Sequence, residues 1–178
     1  CSFEEVLNLE ETKPNHHEKA LTLKIGGLLQ KHHLKLATAE SCTGGQIASQ
    51  MTAVAGASRY FESGVITYSN ASKIRVLSVS KILIDEKGAV SAEVAQAMAE
   101  GVRKNAEVEL GVSVTGIAGP EGGSDEKPVG LVFIALANQN ETEVRHFHFS
   151  GDRNTIQYKA TQVALEMLLT YLSSLKTP

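Results

Sequence analysis

Ala39-Glu40-Ser41-Cys42-Thr43-Gly44-Gly45 stands between an apolar, strand-like run at residues 34–38 and a helical pattern from Gln46 to about Ala53. A strand that turns sharply into a helix is the repeating unit of an α/β fold. It also places a hydroxyl or thiol at a helix N-terminus, where unpaired backbone N–H groups and the helix dipole favour negative charge. Gly44 and Gly45 allow a ligand to approach the backbone closely. The stretch is therefore suited to presenting Ser41 or Cys42 to a substrate that is anionic or becomes so during reaction. Turns rich in Ser, Thr and Gly also serve as plain helix caps, so on these residues alone both readings stand.

The rest of the chain bounds the choice. At 178 residues with 42% hydrophobic content, one domain with a sizeable core is expected. A net charge of −3 without a Lys/Arg-rich block gives no basis for nucleic-acid binding, so a small molecule is the expected partner. Cys1 and Cys42 are too few for a disulfide scaffold, which points to a reducing, cytoplasmic setting. The longest apolar run, residues 129–137, is too short to span a membrane, and no stretch reads as a signal peptide. The chain opens on Cys1 instead of Met, consistent with a segment of something longer.

Residues 1–16 are polar and read as an N-terminal arm, leaving residues 17–178 as the domain. Leu21, Ile25, Leu28 and Leu29 have the spacing of an amphipathic helix over residues 17–31. Residues 54–63 read as a connector and 64–68, β-branched and aromatic, as a second strand. Asn70 or Ser72 is a candidate cap for a helix carrying Lys73, Ile74 and Leu77, and residues 80–87 read as another short helix stopped by Gly88. Ser91 caps a longer helix to about Asn105, with Val94, Met98 and Val102 on one face. Residues 110–115 alternate Leu110, Val112 and Val114 with Gly111, Ser113 and Thr115, as a third strand would. Four glycines and two prolines make residues 116–128 a loop in special backbone conformations. Residues 129–137 read as a strand buried on both faces, 138–140 as a hairpin turn and 143–149 as a half-exposed strand. The longest helix, residues 152–176, follows, with a buried stripe of Ile156, Ala160, Val163, Ala164, Met167 and Tyr171. This order predicts a three-layer α/β/α sandwich with a mixed, mostly parallel sheet.

Set beside Tyr68, Lys73, the 116–124 loop and Arg153, the opening stretch resembles the C-terminal domain of the competence- and damage-inducible protein CinA, a family of nicotinamide mononucleotide deamidases. The resemblance runs from about Leu34 to the final helix. It rests on the 39–45 motif, on Gly64-Val65-Ile66-Thr67-Tyr68-Ser69-Asn70 with Lys73, and on Gly116-Ile117-Ala118-Gly119-Pro120 with Gly122-Gly123-Ser124. Lys127-Pro128-Val129-Gly130 and Gly151-Asp152-Arg153 complete it. Thr115, where a small residue is usual, is a conservative departure. The resemblance implies a catalytic dyad of Ser41 and Lys73 with Tyr68 beside them. Substrate contacts are expected from Cys42, Thr43, Gly44 and Gly45 and from Gly116, Ile117, Ala118 and Gly119, and the Gly-Asp-Arg motif of the resemblance adds Arg153.

The chemistry is coherent with that assignment. Carboxamide hydrolysis needs a nucleophile, a base to deprotonate it and an acid to protonate departing ammonia. One lysine serves both proton roles if burial or a nearby cation keeps it neutral at rest. Amides of Cys42, Thr43 or Gly44 are candidate oxyanion donors, the glycine-rich loop is a candidate phosphate cradle, and Arg153 is a candidate bidentate partner for that phosphate. Cys42 is the rival nucleophile, with no histidine near it in sequence. His146 with His148, His16 with His17 and His32 with His33 lack carboxylate or thiolate companions at ligand spacing. The resemblance thus implies an amidohydrolase that converts nicotinamide mononucleotide to nicotinate mononucleotide and ammonia through an acyl-enzyme on Ser41, with neither metal nor organic cofactor, and assembled as a homo-oligomer. The alternatives are a non-catalytic nucleotide- or protein-binding regulatory domain, or an amidase for a different nucleotide amide.

Overall fold

A computed structural model describes residues 16–176, with side chains from residue 19 onward. The predicted N-terminal arm lies outside the described residues apart from His16, which begins the first helix. Five strands form one sheet in the order β2-β1-β3-β4-β5. They are β1 (Leu36–Glu40), β2 (Phe61–Ile66), β3 (Leu110–Gly116), β4 (Leu131–Ala137) and β5 (Thr142–His148). β1 pairs in parallel with β2 and β3, while β4 is antiparallel to both of its neighbours. Four strands thus run one way and only β4 runs against them, as a mostly parallel mixed sheet requires.

Helices cover both faces. α1 (His16–Lys31), α2 (Gln46–Thr52) and α6 (Arg153–Ser174) share one core, in which Leu21, Ile25 and Leu29 meet Ile47, Met51, Ile156, Leu165 and Leu172 over Val112, Val114, Ile134 and Leu136. On the opposite face, α3 (Asn70–Leu77), α4 (Lys81–Lys87) and α5 (Ala92–Asn105) bury Leu77, Ile84, Val94, Met98 and Val102 against Ala37 and Ala39. The chain leaves β1 through α2 to β2, then returns across the other face to β3 on the far side of β1. Such a reversal opens a crevice at the C-terminal ends of the strands, the usual ligand position in open α/β sheets.

Several boundaries moved, for physical reasons. β1 begins and ends two residues later than predicted and absorbs Glu40, whose carboxylate is fully satisfied inside the fold. β2 covers Phe61–Ile66 instead of residues 64–68, so Tyr68 stands two residues beyond the strand. Neither Asn70 nor Ser72 is the cap of α3. Ser69 is, accepting from the Ser72 amide, while the Ser72 hydroxyl accepts from the Ser69 amide. The second face of β3 is buried too: Ser113 donates to Ala95 O at 2.6 Å and Thr115 to Ala89 O at 2.9 Å, under α5. In α6, Val163 and Tyr171 are only half-buried, and Thr161, Leu165, Leu168 and Leu172 fill the stripe instead. Among the described residues no helix is long and apolar enough to cross a membrane.

Candidate active site

The crevice at the strand ends holds about 240 Å³ and is lined by Ser41, Cys42, Tyr68, Asn70, Lys73, Ala89, Val90, Thr115–Gly119, Glu121, Gly122 and Arg153. Ser41 follows β1 directly. Its amide donates to Val114 O at 3.0 Å, which pins its backbone to the end of β3. Lys73 enters from the first turns of α3, on the opposite face from α2. Its side chain is 1% exposed, yet its Nζ lies 3.0 Å from Ser41 Oγ and donates to Thr67 O at 2.8 Å. Burial lowers the Lys73 pKa, the nearby Cys42 opposing it weakly. A neutral amine has two N–H bonds and one lone pair. With Thr67 O taking one N–H, the lone pair is free to receive the Ser41 proton across the same 3.0 Å.

Cys42 is the weaker nucleophile on its own merits. Burial pushes its thiol up to about 12, only partly offset by its own backbone amide and by Lys73. It is therefore a thiol, not a thiolate, at ordinary pH. The contribution of Cys42 is its backbone. Its carbonyl accepts from Gln157 Nε2 at 2.7 Å, and the amides of Cys42 and Thr43 make no backbone hydrogen bond among the described residues. The residue after a nucleophile is a common source of an oxyanion donor.

The other members of the motif are differently placed. The Gly44 amide donates to Ser41 O at 3.1 Å, the Gly45 amide to Glu40 Oε2 at 3.0 Å and the Thr43 hydroxyl to the same oxygen at 2.7 Å. None of these three residues lines the crevice. Glu40 also accepts from the amides of Ile47 and Ala48 at 3.1 and 2.8 Å. The helix start that the sequence offered to a substrate anion is occupied by a carboxylate of the chain itself.

The glycine-rich loop forms the facing wall. A Cβ on Gly116 would stand 2.8 Å from Leu131 O, and Gly119 has φ +74°, so both positions require glycine. Ile117, Ala118 and Gly119 all line the crevice, but the Ile117 amide is committed to Leu131 O at 2.9 Å. Arg153 Nη1 donates to Gly119 O at 2.9 Å and Nη2 to Tyr68 OH at 2.6 Å. The guanidinium thus ties the start of α6 to the loop and to Tyr68, two residues beyond β2. Tyr68 shares the crevice with Ser41 and Lys73, but its hydroxyl is held by Arg153, and its ring is 59% exposed. Asn70, Ala89, Val90 and Thr115 complete the lining from outside the residues expected to form the site, while Glu121 and Gly122 belong to the glycine-rich loop. Asn70, within the Gly64–Asn70 motif, reads in sequence as a helix cap, and nothing in residues 88–90 marks them as a wall.

Comparison with known proteins gives a consistent picture. Residues 18–172 match the family described as the CinA C-terminal domain. A CinA-like protein of Geobacter sp. (strain M21) is 55% identical over 154 residues, covering 86% of this chain and 37% of its own length. One of Geotalea daltonii is 53% identical over 144 residues, 81% of this chain and 35% of that protein. The chain thus spans little more than a third of these curated relatives. A crystal structure of the competence damage-inducible protein A (ComA) from Klebsiella pneumoniae superposes with a TM-score of 0.86 at 34% identity, over 89% of this chain and 99% of that one. One of the competence/damage inducible protein CihA from Agrobacterium tumefaciens gives 0.86 at 37%, over 90% and 98%. With the matched region running from α1 into the last turn of α6 and the fold shared along it, the chain belongs to the CinA C-terminal domain family.

Proposed function

We propose that this domain is a serine amidohydrolase that converts nicotinamide mononucleotide and water to nicotinate mononucleotide and ammonia. The observation that carries the reading is the buried 3.0 Å contact between Lys73 Nζ and Ser41 Oγ, with Thr67 O orienting the amine. Ser41 Oγ attacks the carboxamide carbon as its proton passes to Lys73. The oxyanion forms against the Cys42 amide, a kind of contact worth about 3 kcal/mol per donor. Collapse breaks the C–N bond, and Lys73 returns the proton to departing ammonia. Water then attacks the Ser41 ester, with Lys73 again accepting a proton and returning it to Ser41 Oγ. The exposed face of Tyr68 offers a surface for the cationic pyridinium ring, and Arg153 is the cation nearest to hand for the phosphate.

The test is ammonia release from nicotinamide mononucleotide, its riboside and free nicotinamide. Preference for the phosphorylated compound, abolished in Ser41→Ala and Lys73→Ala, is the expected result. Turnover surviving in either variant would remove the dyad. Equal turnover of the three compounds would remove the phosphate site. Binding of the nucleotide with no ammonia released would favour a regulatory module.

A further inference from the structure

Glu40 is the most completely engaged buried carboxylate in the structure and has no role in the reaction just described. It is the last residue of β1, held between Ile66 of β2 and Val114 of β3, and 1% exposed. Oε2 accepts from Thr43 Oγ1, Gly45 N and Ile47 N, and Oε1 accepts from Ala48 N, at 2.7–3.1 Å. All four donors are neutral. A buried charge is tolerated when hydrogen bonds of this number and quality replace its water. The direction of the side chain matters as much as its partners. Successive residues along a strand point to opposite faces. Glu40 points toward α2, so Ser41 points to the face from which α3 delivers Lys73. The four donors all come from the seven residues immediately after Ser41. The residue before the nucleophile therefore clamps the chain that leaves it.

Resting on the amidohydrolase reading above, we infer that Glu40 is a positioning residue for Ser41. By drawing the Thr43 hydroxyl and the Gly45, Ile47 and Ala48 amides onto itself, it fixes the direction of Ser41 Oγ toward Lys73. The Cys42 amide, which gives no hydrogen bond to the backbone among the described residues, stays beside Ser41 as the candidate oxyanion donor. A carboxylate already seated at the start of α2 repels a second anion there, so the substrate phosphate belongs at the Arg153 end of the crevice.

The test uses Glu40→Gln and the milder Thr43→Val, which removes one donor from a residue outside the crevice. Two rates are read per folded molecule: turnover of nicotinamide mononucleotide, and labelling of Ser41 by phenylmethanesulfonyl fluoride followed by intact mass. In the labelling reaction Ser41 Oγ bonds to sulfur, fluoride leaves and the serine proton passes to Lys73. Gln retains shape but sets an N–H against one of the four donors. Glu40→Gln is expected to lower both kcat and the labelling rate 10- to 100-fold with KM within threefold, and Thr43→Val to lower both about threefold. A role confined to stability would leave both rates per folded molecule within twofold of the parent while lowering Tm, and that result in both variants overturns the inference. Labelling that slows as expected in a protein with no turnover supports the positioning role and removes the amidohydrolase reading. A parent chain neither labelled at Ser41 nor active removes both.

Discussion

Replacing Lys73 with methionine separates its chemistry from its burial. Methionine follows the course of the lysine stem and ends in a soft apolar group, so packing against α5 and the strand ends is kept. In the proposed mechanism, removing the amine deletes the base for Ser41 and the acid for ammonia. General acid–base catalysis contributes about 10²–10⁴ per step. A fall in kcat/KM of about 10³-fold or more is therefore expected, or about 4 kcal/mol of transition-state stabilisation. The substitution also changes how stability depends on pH. Burial lowers the folded pKa of Lys73, whereas the unfolded lysine titrates near 10.5. Between those two values the unfolded chain holds the extra proton, so the parent gains stability as pH rises through the window, by at most about 1.4 kcal/mol per pH unit. Below the window both states are protonated and the buried charge is a constant penalty. Methionine has no such term. It does leave Thr67 O without its 2.8 Å partner, costing about 1–3 kcal/mol at every pH. The difference in stability between Lys73→Met and parent, measured by urea unfolding, should therefore be most favourable to the variant near neutrality and fall toward pH 10. A kcat/KM within tenfold of the parent, or a difference that grows with pH, would refute the reasoning. In the parent, kcat/KM should rise with pH through the lowered Lys73 pKa and then level off.

Four further outcomes follow from named contacts. Arg153→Lys should raise KM for the mononucleotide about tenfold or more and shrink its advantage over the riboside, since an ammonium cannot span Gly119 O and Tyr68 OH as a fork does; steady-state kinetics on both compounds decide it. With its thiol held near 12, Cys42 should resist iodoacetamide at pH 8 in the folded protein and react fully after denaturation, as read by mass spectrometry. Lys127→Met loses hydrogen bonds to Lys87 O and Val90 O at 2.6 and 2.8 Å, so the wall carrying Val90 should loosen, with KM rising more than kcat falls. Gly111→Ala would set a Cβ 2.2 Å from Ala99 O and 2.8 Å from Arg103 Cβ, and should lower unfolding free energy by about 1–3 kcal/mol while activity per folded molecule stays at the parent level.

The sequence carried the architecture well because the architecture depends on periodicity. The stripe of Leu21, Ile25 and Leu29, the Ser91 cap and the apolar run of β4 are local signals, and each produced the predicted element. β2 was less legible, because Phe61-Glu62-Ser63 has no strand composition; this edge segment is extended because β1 pairs with it. At the site, nothing in the local sequence of Lys73 distinguishes it from a surface lysine on a short helix. Its 1% exposure comes from tertiary packing, and only the family resemblance picked it out. Glu40 shows the limit most clearly. A glutamate next to Ser, Thr and Gly reads as part of a turn; its pairing with Ile66 and Val114 and the four donors to its carboxylate become visible only when the chain has closed around it.

The internal clamp by Glu40 divides responsibilities within the crevice. The restraints on Ser41 come from β1, the 41–45 turn, α2, the Val114 carbonyl of β3, Lys73 and Gln157, and none of them comes from residues 118–126 of the glycine-rich wall. That wall hangs instead on Arg153, Lys127 and the Ile117–Leu131 pairing. Residues 118–126 can therefore be exchanged between homologous domains, or lengthened, to alter which amide is admitted without retuning the nucleophile. A library confined to that segment should yield changed selectivity far more often than loss of the acylating serine.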